Sequence, residues 1–523
     1  MRRRNFLKST ASGIVLPTIA GGIGFKSLEM TNLAQMLQVA NDTDKVIVMV
    51  YLSGGNDGLN TVVPLDQLSN LSNARENVLL PENQLLQLSG SELGLHPAMT
   101  ELKELYDEGK LTILQNVGYP NPDFSHFRST DIWMSGSGSE EIVASGWTGR
   151  YLEGAHPTYP AEYPNADNPH PLAVEIGWSS SMLFQGAANT MGMVINDPDY
   201  FYELIEETNP PVPDTKAGDR LEYVRLVAKQ SQVYGQVVTD AAANVTSQGE
   251  YPADNWLAEQ LKIVARLIAG GLKTKLYLVE YGSFDTHDTQ VDPSDKTQGE
   301  HAYLLKNVSS AIKAFTDDLE GLSVDDRVIG MTFSEFGRRV VSNASGGTDH
   351  GTSAPLFLFG SNVNAGVIGN NPIIPSSADY WYNMDMEIDF RQVYGTLFHK
   401  WLCVPQNNID SILFNNFEHL PFVKNSPCGI VDTKEHVVHG NDLIKVFPNP
   451  VLDYAQIQFV GQGTTVQIEL YSMDGKKVAT PLRGNYAVGN HVAGFSVANL
   501  PSGTYYVKYR SGSAIQSAKL IKM

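Results

Sequence analysis

Four short motifs hold the side chains most able to grip a cation: SGGNDGLN at 53–60, FDTHDTQ at 284–290, SEFGR at 334–338 and TDHG at 348–351. They supply Asp57, Asp285, His287, Glu335, Asp349 and His350 as candidate metal ligands. Carboxylates and imidazoles rooted at the ends of apolar, β-branched runs are held rigidly, which is what a hard or borderline divalent ion such as zinc, calcium or magnesium requires. Asp285 and His287 lie two apart, so in extended backbone both point to one side of the chain. Asp57 follows a Gly-Gly turn that lets the backbone approach an ion closely; the alternative is a plain Asn-Asp-Gly turn with an exposed carboxylate. The chain has two cysteines, Cys403 and Cys428, too few for a thiolate-rich zinc site. They either pair across a short loop or stay as separate buried thiols.

A fifth stretch, Phe124-Ser125-His126-Phe127-Arg128, sits between an apolar run and a helical pattern. Ser125, His126 and Arg128 are the candidate catalytic groups. A serine beside a metal can be activated as a nucleophile, and Arg128 or Arg338 could hold anionic oxygens. The competing reading makes Ser125 a helix cap with His126 packed beneath it.

The elements that must position these groups are legible from hydropathy. KVIVMVYL, LTILQNVG, KLYLVEY, RVIGMTF and APLFLFG are continuous apolar runs, as expected of strands buried on both faces. Between them, 96–110, 221–243, 255–272 and 302–322 carry apolar residues at three- and four-residue spacing, the mark of amphipathic helices. This alternation predicts an α/β fold with a doubly wound, mainly parallel sheet whose ligands bind beyond the carboxyl ends of the strands. His96 reads as structural. Trp133 and Trp147 suit a core or a carbohydrate-facing role, and Asp389 suits a helix N-cap.

At the start, Arg2, Arg3 and Arg4 precede a weakly apolar stretch at 13–25. It is shorter than the roughly 20 residues a membrane span needs, so 1–30 reads as a removed twin-arginine export signal and no membrane span is expected. From 442 the chain becomes short alternating strands with turn signals, an antiparallel β-sandwich over 442–523 after a linker at 426–441. The formal charge of −20 over 523 residues argues against a nucleic-acid partner.

The terminal order of FPNP, a strand ending in MDGKKV, LPSGTYYV and a basic last strand resembles the sorting domain of type IX secretion. In the central region VMVYLSGGNDGLNTVVPL, HPAMTELKELYDEGKLTILQNVGYPNPDFSHFRSTDIWMSG, LVEYGSFDTHDTQ and TFSEFGRRVVSNASGGTDHGTSAPLFLFG together resemble the domain of unknown function 1501 family, similar in fold to the alkaline phosphatase and sulfatase superfamily. That resemblance implies an alkaline-phosphatase-like domain over 45–425, with Asp57 at the first metal position and Ser125 at the nucleophile position. Glu335 stands where relatives carry an Asp-His pair, and His350 is the residue that would supply the lost imidazole. No cysteine-based sulfatase signature is present. The implied protein is a secreted metal-dependent hydrolase of phosphate or sulfate esters, its substrate a small ester or a sulfated or phosphorylated glycan. Its other partners are the export and type IX machinery, and its destination, via the periplasm, is the medium or the outer-membrane surface. The alternative is a non-catalytic surface binding or scaffold protein on the same fold.

Overall fold

The computed structural model describes residues 43–198, 213, 215–428, 444–447, 451, 454–461, 465–472, 476–486, 489–498, 500–511 and 514–522. The expected export signal lies outside them. Two compact units divide between Ile430 and Val431.

The first unit is built on one nine-stranded sheet. Its strands are β1 (Val46–Leu52), β2 (Leu111–Gly118), β3 (Ala173–Ile176), β4 (Met193–Ile195), β5 (Leu276–Tyr281), β6 (Val328–Phe333), β9 (Ala354–Phe359), β10 (Gly366–Ile368) and β11 (Ile388–Asp389). A separate ribbon, β7 (Arg338–Ser342) with β8 (Thr348–His350), rises between β6 and β9. The sheet order is β10-β2-β9-β6-β1-β5-β3-β4, with β11 also on β2. Every pairing is parallel except those of β9, which runs antiparallel to both β2 and β6.

The apolar runs are continuous because both faces are covered. In β1, Val46, Val48, Val50 and Leu52 enter one core while Ile47, Met49 and Tyr51 enter the other, the two-residue alternation of a strand. The main helices are α1 (Leu68–Arg75), α2 (Thr100–Asp107), α3 (His126–Ser135), α4 (Trp147–Ala155), α5 (Lys216–Ala243), α6 (Trp256–Ala269), α7 (Glu300–Gly321) and α8 (Phe390–Thr396). Residues of α2, α6 and α7 fill the first core; Trp133 of α3, Trp147 of α4 and Tyr394 of α8 fill the second. Both tryptophans are therefore core residues. The helix expected from His96 starts only at Thr100, because His96 is buried ahead of it and its Nδ1 accepts from the Ala98 amide at 3.0 Å. Asp389 caps α8, in a reciprocal box with Gln392, as its place in the chain suggests.

Cys403 and Cys428 form a disulfide in this unit, 25 residues apart in sequence. The second unit is a β-sandwich. A three-stranded sheet (Ile444–Phe447, Tyr454–Gly461, Gly489–Ser496) and a four-stranded one (Thr465–Ser472, Lys477–Asn485, Gly503–Ser511, Ala514–Lys522) are each antiparallel. They share a core that includes Ile457, Phe459, Ile468 and Tyr509. Among the described residues no helix is long and apolar enough to cross a membrane.

Candidate metal centre

The three central strands β6, β1 and β5 are neighbours and parallel, so the segments leaving their carboxyl ends emerge side by side. After β1 the chain must pass tightly against the β5 loop: Gly54 has φ 120°, and a Cβ there would lie 2.4 Å from the Asp285 amide nitrogen. Only glycine meets both conditions. The Gly54 amide in turn donates to Glu335 Oε1 at 2.9 Å, tying the β1 loop to the β6 loop.

Arg338, fully buried, binds the same loops through backbone carbonyls. Its guanidinium donates to the carbonyls of Gly55 (2.7 Å), Thr348 (2.8 Å), Phe284 (3.1 Å) and Gly54, and to Asp285 Oδ1 (2.6 Å). Across the β7–β8 ribbon Arg338 pairs with His350, which brings that imidazole over Asp285. His126 arrives from another direction, as the first residue of α3. That helix ends at Gly136 in the left-handed conformation, φ 66°, a common helix stop.

Asp285 is the meeting point. Its Oδ1 lies 3.0 Å from His350 Nε2 and 3.1 Å from His287 Nε2; its Oδ2 lies 3.4 Å from His126 Nε2. His287 and His350 approach each other through their Nε2 atoms at 2.9 Å. One ligand atom from each of His126, Asp285 and His350 falls within 4.8 Å of the others.

Each imidazole is tied at its far nitrogen. His126 Nδ1 is 2.8 Å from Glu335 Oε1, His287 Nδ1 is 2.8 Å from Asp349 Oδ1, and His350 Nδ1 is 2.8 Å from the Phe124 carbonyl. A carbonyl can only accept, so His350 Nδ1 carries the proton. Asp349 is ionised: burial would raise its carboxyl, but hydrogen bonds from Tyr380 and His287 outweigh it and hold it at about 2. His287 Nδ1 therefore donates as well. In neutral rings the two Nε2 atoms are then bare lone pairs, facing each other and an anionic oxygen. Burial opposes that charge too, yet the hydrogen bond and positive charge of Arg338 hold the Asp285 carboxyl well below its ordinary value. Lone pairs and negative charge converging within about 3 Å repel unless a cation lies among them. Donor atoms with the opposite ring nitrogen fixed by an oxygen are the arrangement that metal-binding histidines use. The donor set therefore fits a metal ion.

The fields on two of the rings differ. The hydrogen bond to Glu335 raises His126 above the ordinary imidazole range, whereas burial lowers His350. Asp285 is about half exposed, and His287 nearly so, so the cluster opens to solvent.

The remaining expected site residues have other surroundings. Glu335 and Asp349 are one hydrogen bond behind the cluster, each holding a ring. Asp57 stands apart, fully buried in an ion pair with Arg75, whose Nη1 is 3.0 Å from both carboxylate oxygens; Gln290 Nε2 donates to Oδ2 at 2.6 Å. Burial would raise the Asp57 carboxyl, but the Arg75 charge keeps it below its ordinary value. Its hydrogen-bond partners do not include the cluster. Ser125 holds the N-cap position of α3, but its hydroxyl makes no capping bond and the residue is exposed. Arg128 donates to the carbonyls of Ser139 (2.9 Å) and Glu141 (2.6 Å) and makes a longer contact to Gly138 (3.5 Å). It thus fastens the loop after α3. Sequence reasoning gave His126 no ligand part, offered Gln290 only as a fallback ligand, and passed over Arg75 and Tyr380. The one available signal for His126 was its position at a helix start beyond a strand.

Residues 221–409 match the family model described as a protein of unknown function, DUF1501, and residues 445–523 match the secretion system C-terminal sorting domain. The chain carries a DUF1501 domain. Asp285, His287, Glu335, Asp349 and His350 fall inside the matched part of the DUF1501 domain, while Asp57 and His126 precede it. The sorting domain marks the chain for secretion. No curated protein matches. Among solved structures the chain is similar to the PsFucS1 sulfatase from Pseudoalteromonas sp., at 12% identity over 89% of this chain and 87% of that one, TM-score 0.32. It is also similar to an alkaline phosphatase superfamily protein from Vibrio parahaemolyticus, at 11% identity over 66% and 71%, TM-score 0.30. A third is the alkaline phosphatase from the Antarctic bacterium TAB5, at 9% identity over 61% and 92%, TM-score 0.25. At these scores the likeness bears on no residue's role.

Proposed function

We propose that the DUF1501 domain binds one divalent transition metal through His126, Asp285, His287 and His350, and that the secreted protein is a metal-dependent hydrolase of phosphate or sulfate esters. The observation carrying this reading is the convergence of three Nε2 atoms on Asp285 while each Nδ1 is held by an oxygen. Three imidazoles favour zinc or a neighbouring transition metal over calcium or magnesium, which take oxygen ligands. When bound, such an ion supplies Lewis-acid polarisation of an ester or water oxygen.

The protein's own groups then have separate tasks. Glu335, Asp349 and the Phe124 carbonyl orient the rings, and Arg338 holds Asp285 and the strand-end loops in register. Ser125, exposed and adjacent to His126, is our candidate nucleophile. The half-exposed cluster gives an ester access from solvent.

One observation favours a second reading, a metal-dependent binding protein without turnover. Arg128 and Arg338, the guanidinium groups expected to hold nonbridging oxygens, are both committed to backbone carbonyls. Metal analysis of the purified chain, followed by assay of the zinc-loaded protein against aryl phosphates and aryl sulfates, separates the two. Stoichiometric zinc with ester cleavage that Ser125→Ala abolishes supports the hydrolase. Stoichiometric zinc without cleavage of either ester supports the binding protein, and no zinc overturns both.

A further inference from the structure

Tyr380 lies on the segment between β10 and β11, and its residue is 43% exposed. A phenol at the surface can be satisfied by water, yet this hydroxyl donates to Asp349 Oδ2. The other oxygen of the same carboxylate accepts from His287 Nδ1 at 2.8 Å and from Asn343 Nδ2 at 3.2 Å. Both oxygens of Asp349 are therefore fixed, one by the tyrosine and one by the imidazole it serves.

The tyrosine is itself held. The Arg339 guanidinium lies 5.1 Å from the Tyr380 ring centre and 4.3 Å from that of Trp381, with Nη1 3.8 Å from Asp349 Oδ2. Cation–π contact of this kind steadies exposed rings. Asp379 Oδ1 accepts from the Trp381 amide at 2.8 Å, closing the turn that carries both aromatics. The result is a chain of fixed contacts from a surface turn to a ring nitrogen at the cluster.

We propose that Tyr380 is a positioning residue of the metal centre, acting through Asp349 to set the orientation and donor strength of His287. This rests on the metal reading given above. A carboxylate gripped from behind presents its free lone pairs in one direction only, so the imidazole it accepts from is aimed rather than free to swing. Loss of such an outer partner typically weakens metal binding about 10- to 100-fold.

The test is titration of the full-length, metal-stripped chain with zinc, in wild-type form and as Tyr380→Phe and Trp381→Ala. Phenylalanine keeps the ring beneath Arg339 and removes only the hydroxyl. The expected result is a zinc dissociation constant raised roughly tenfold or more by Tyr380→Phe, with Trp381→Ala within twofold of wild type. A Tyr380→Phe affinity within twofold of wild type overturns the assignment. Nitrogen NMR of histidine-labelled, metal-free protein supplies an independent arm by reading the protonation of His287 Nδ1. If the wild-type chain binds no zinc, the metal reading fails. The positioning role is then decided by whether Tyr380→Phe changes the His287 signal; an unchanged signal overturns it.

Discussion

Glu335 and Asp57 are both buried carboxylates after a central strand, and they demand opposite expectations. Glu335 holds His126, so Glu335→Gln should weaken zinc binding about 10- to 100-fold with little loss of fold; competitive titration against a chromophoric chelator reads it. Asp57 neutralises Arg75 where neither side chain meets solvent. Leaving that guanidinium unpaired should cost about 3–5 kcal/mol in urea unfolding for Asp57→Ala, with zinc per folded molecule unchanged. A fall in zinc content without a fall in stability would reverse this assignment. The motifs around both residues were visible in the chain, but their partners were not. Arg75 lies on a helix whose own pattern says nothing of what its charge faces, and a Gly-Gly-Asn-Asp turn looks alike whether its carboxylate meets a guanidinium or an ion. His126 was similarly opaque: its ring reaches the cluster because β2 and β6 are held in one sheet by β9, a relation between distant segments.

At the scale of elements, the central strands and the main helices were readable because burial on both faces leaves long apolar runs and burial on one face leaves a helical stripe. The direction of β9 was not, since an apolar run carries no sign. Glu175 in β3 breaks the apolar pattern and bears a consequence. Burial pushes its carboxyl from an ordinary 4.5 up to about 7, against the hydrogen bonds from Ser181. Below pH 4.5 both folded and unfolded chains keep the proton. Between there and about 7 the unfolded chain releases it first, so stability falls as pH rises and levels off above 7. Glu175→Gln should therefore stabilise the domain by about 3 kcal/mol at pH 8 relative to pH 4, measured as paired urea curves. Equal gains at both pH values would exclude titration as the cause. At α8, Asp389→Ala removes the capping box and should cost about 1 kcal/mol.

For the whole molecule, the division into an α/β unit and a terminal sandwich followed from the change in strand length and turn content, and the sorting domain was marked by its sequence landmarks. Whether the cysteines pair was left open by spacing alone, because two thiols 25 residues apart meet or miss according to how the intervening chain folds. They meet. In the entropic picture, cross-linking a loop of this length contributes about 3–4 kcal/mol, so Cys403→Ser/Cys428→Ser should lower stability by that order in chemical unfolding of the oxidised chain.

That bond also dates each molecule's journey. A polypeptide addressed for secretion begins life among reductants that keep thiols apart and ends where they oxidise. Copies recovered before and after that crossing should differ by two free thiols, so alkylation with a thiol reagent would tell travellers from those still at home.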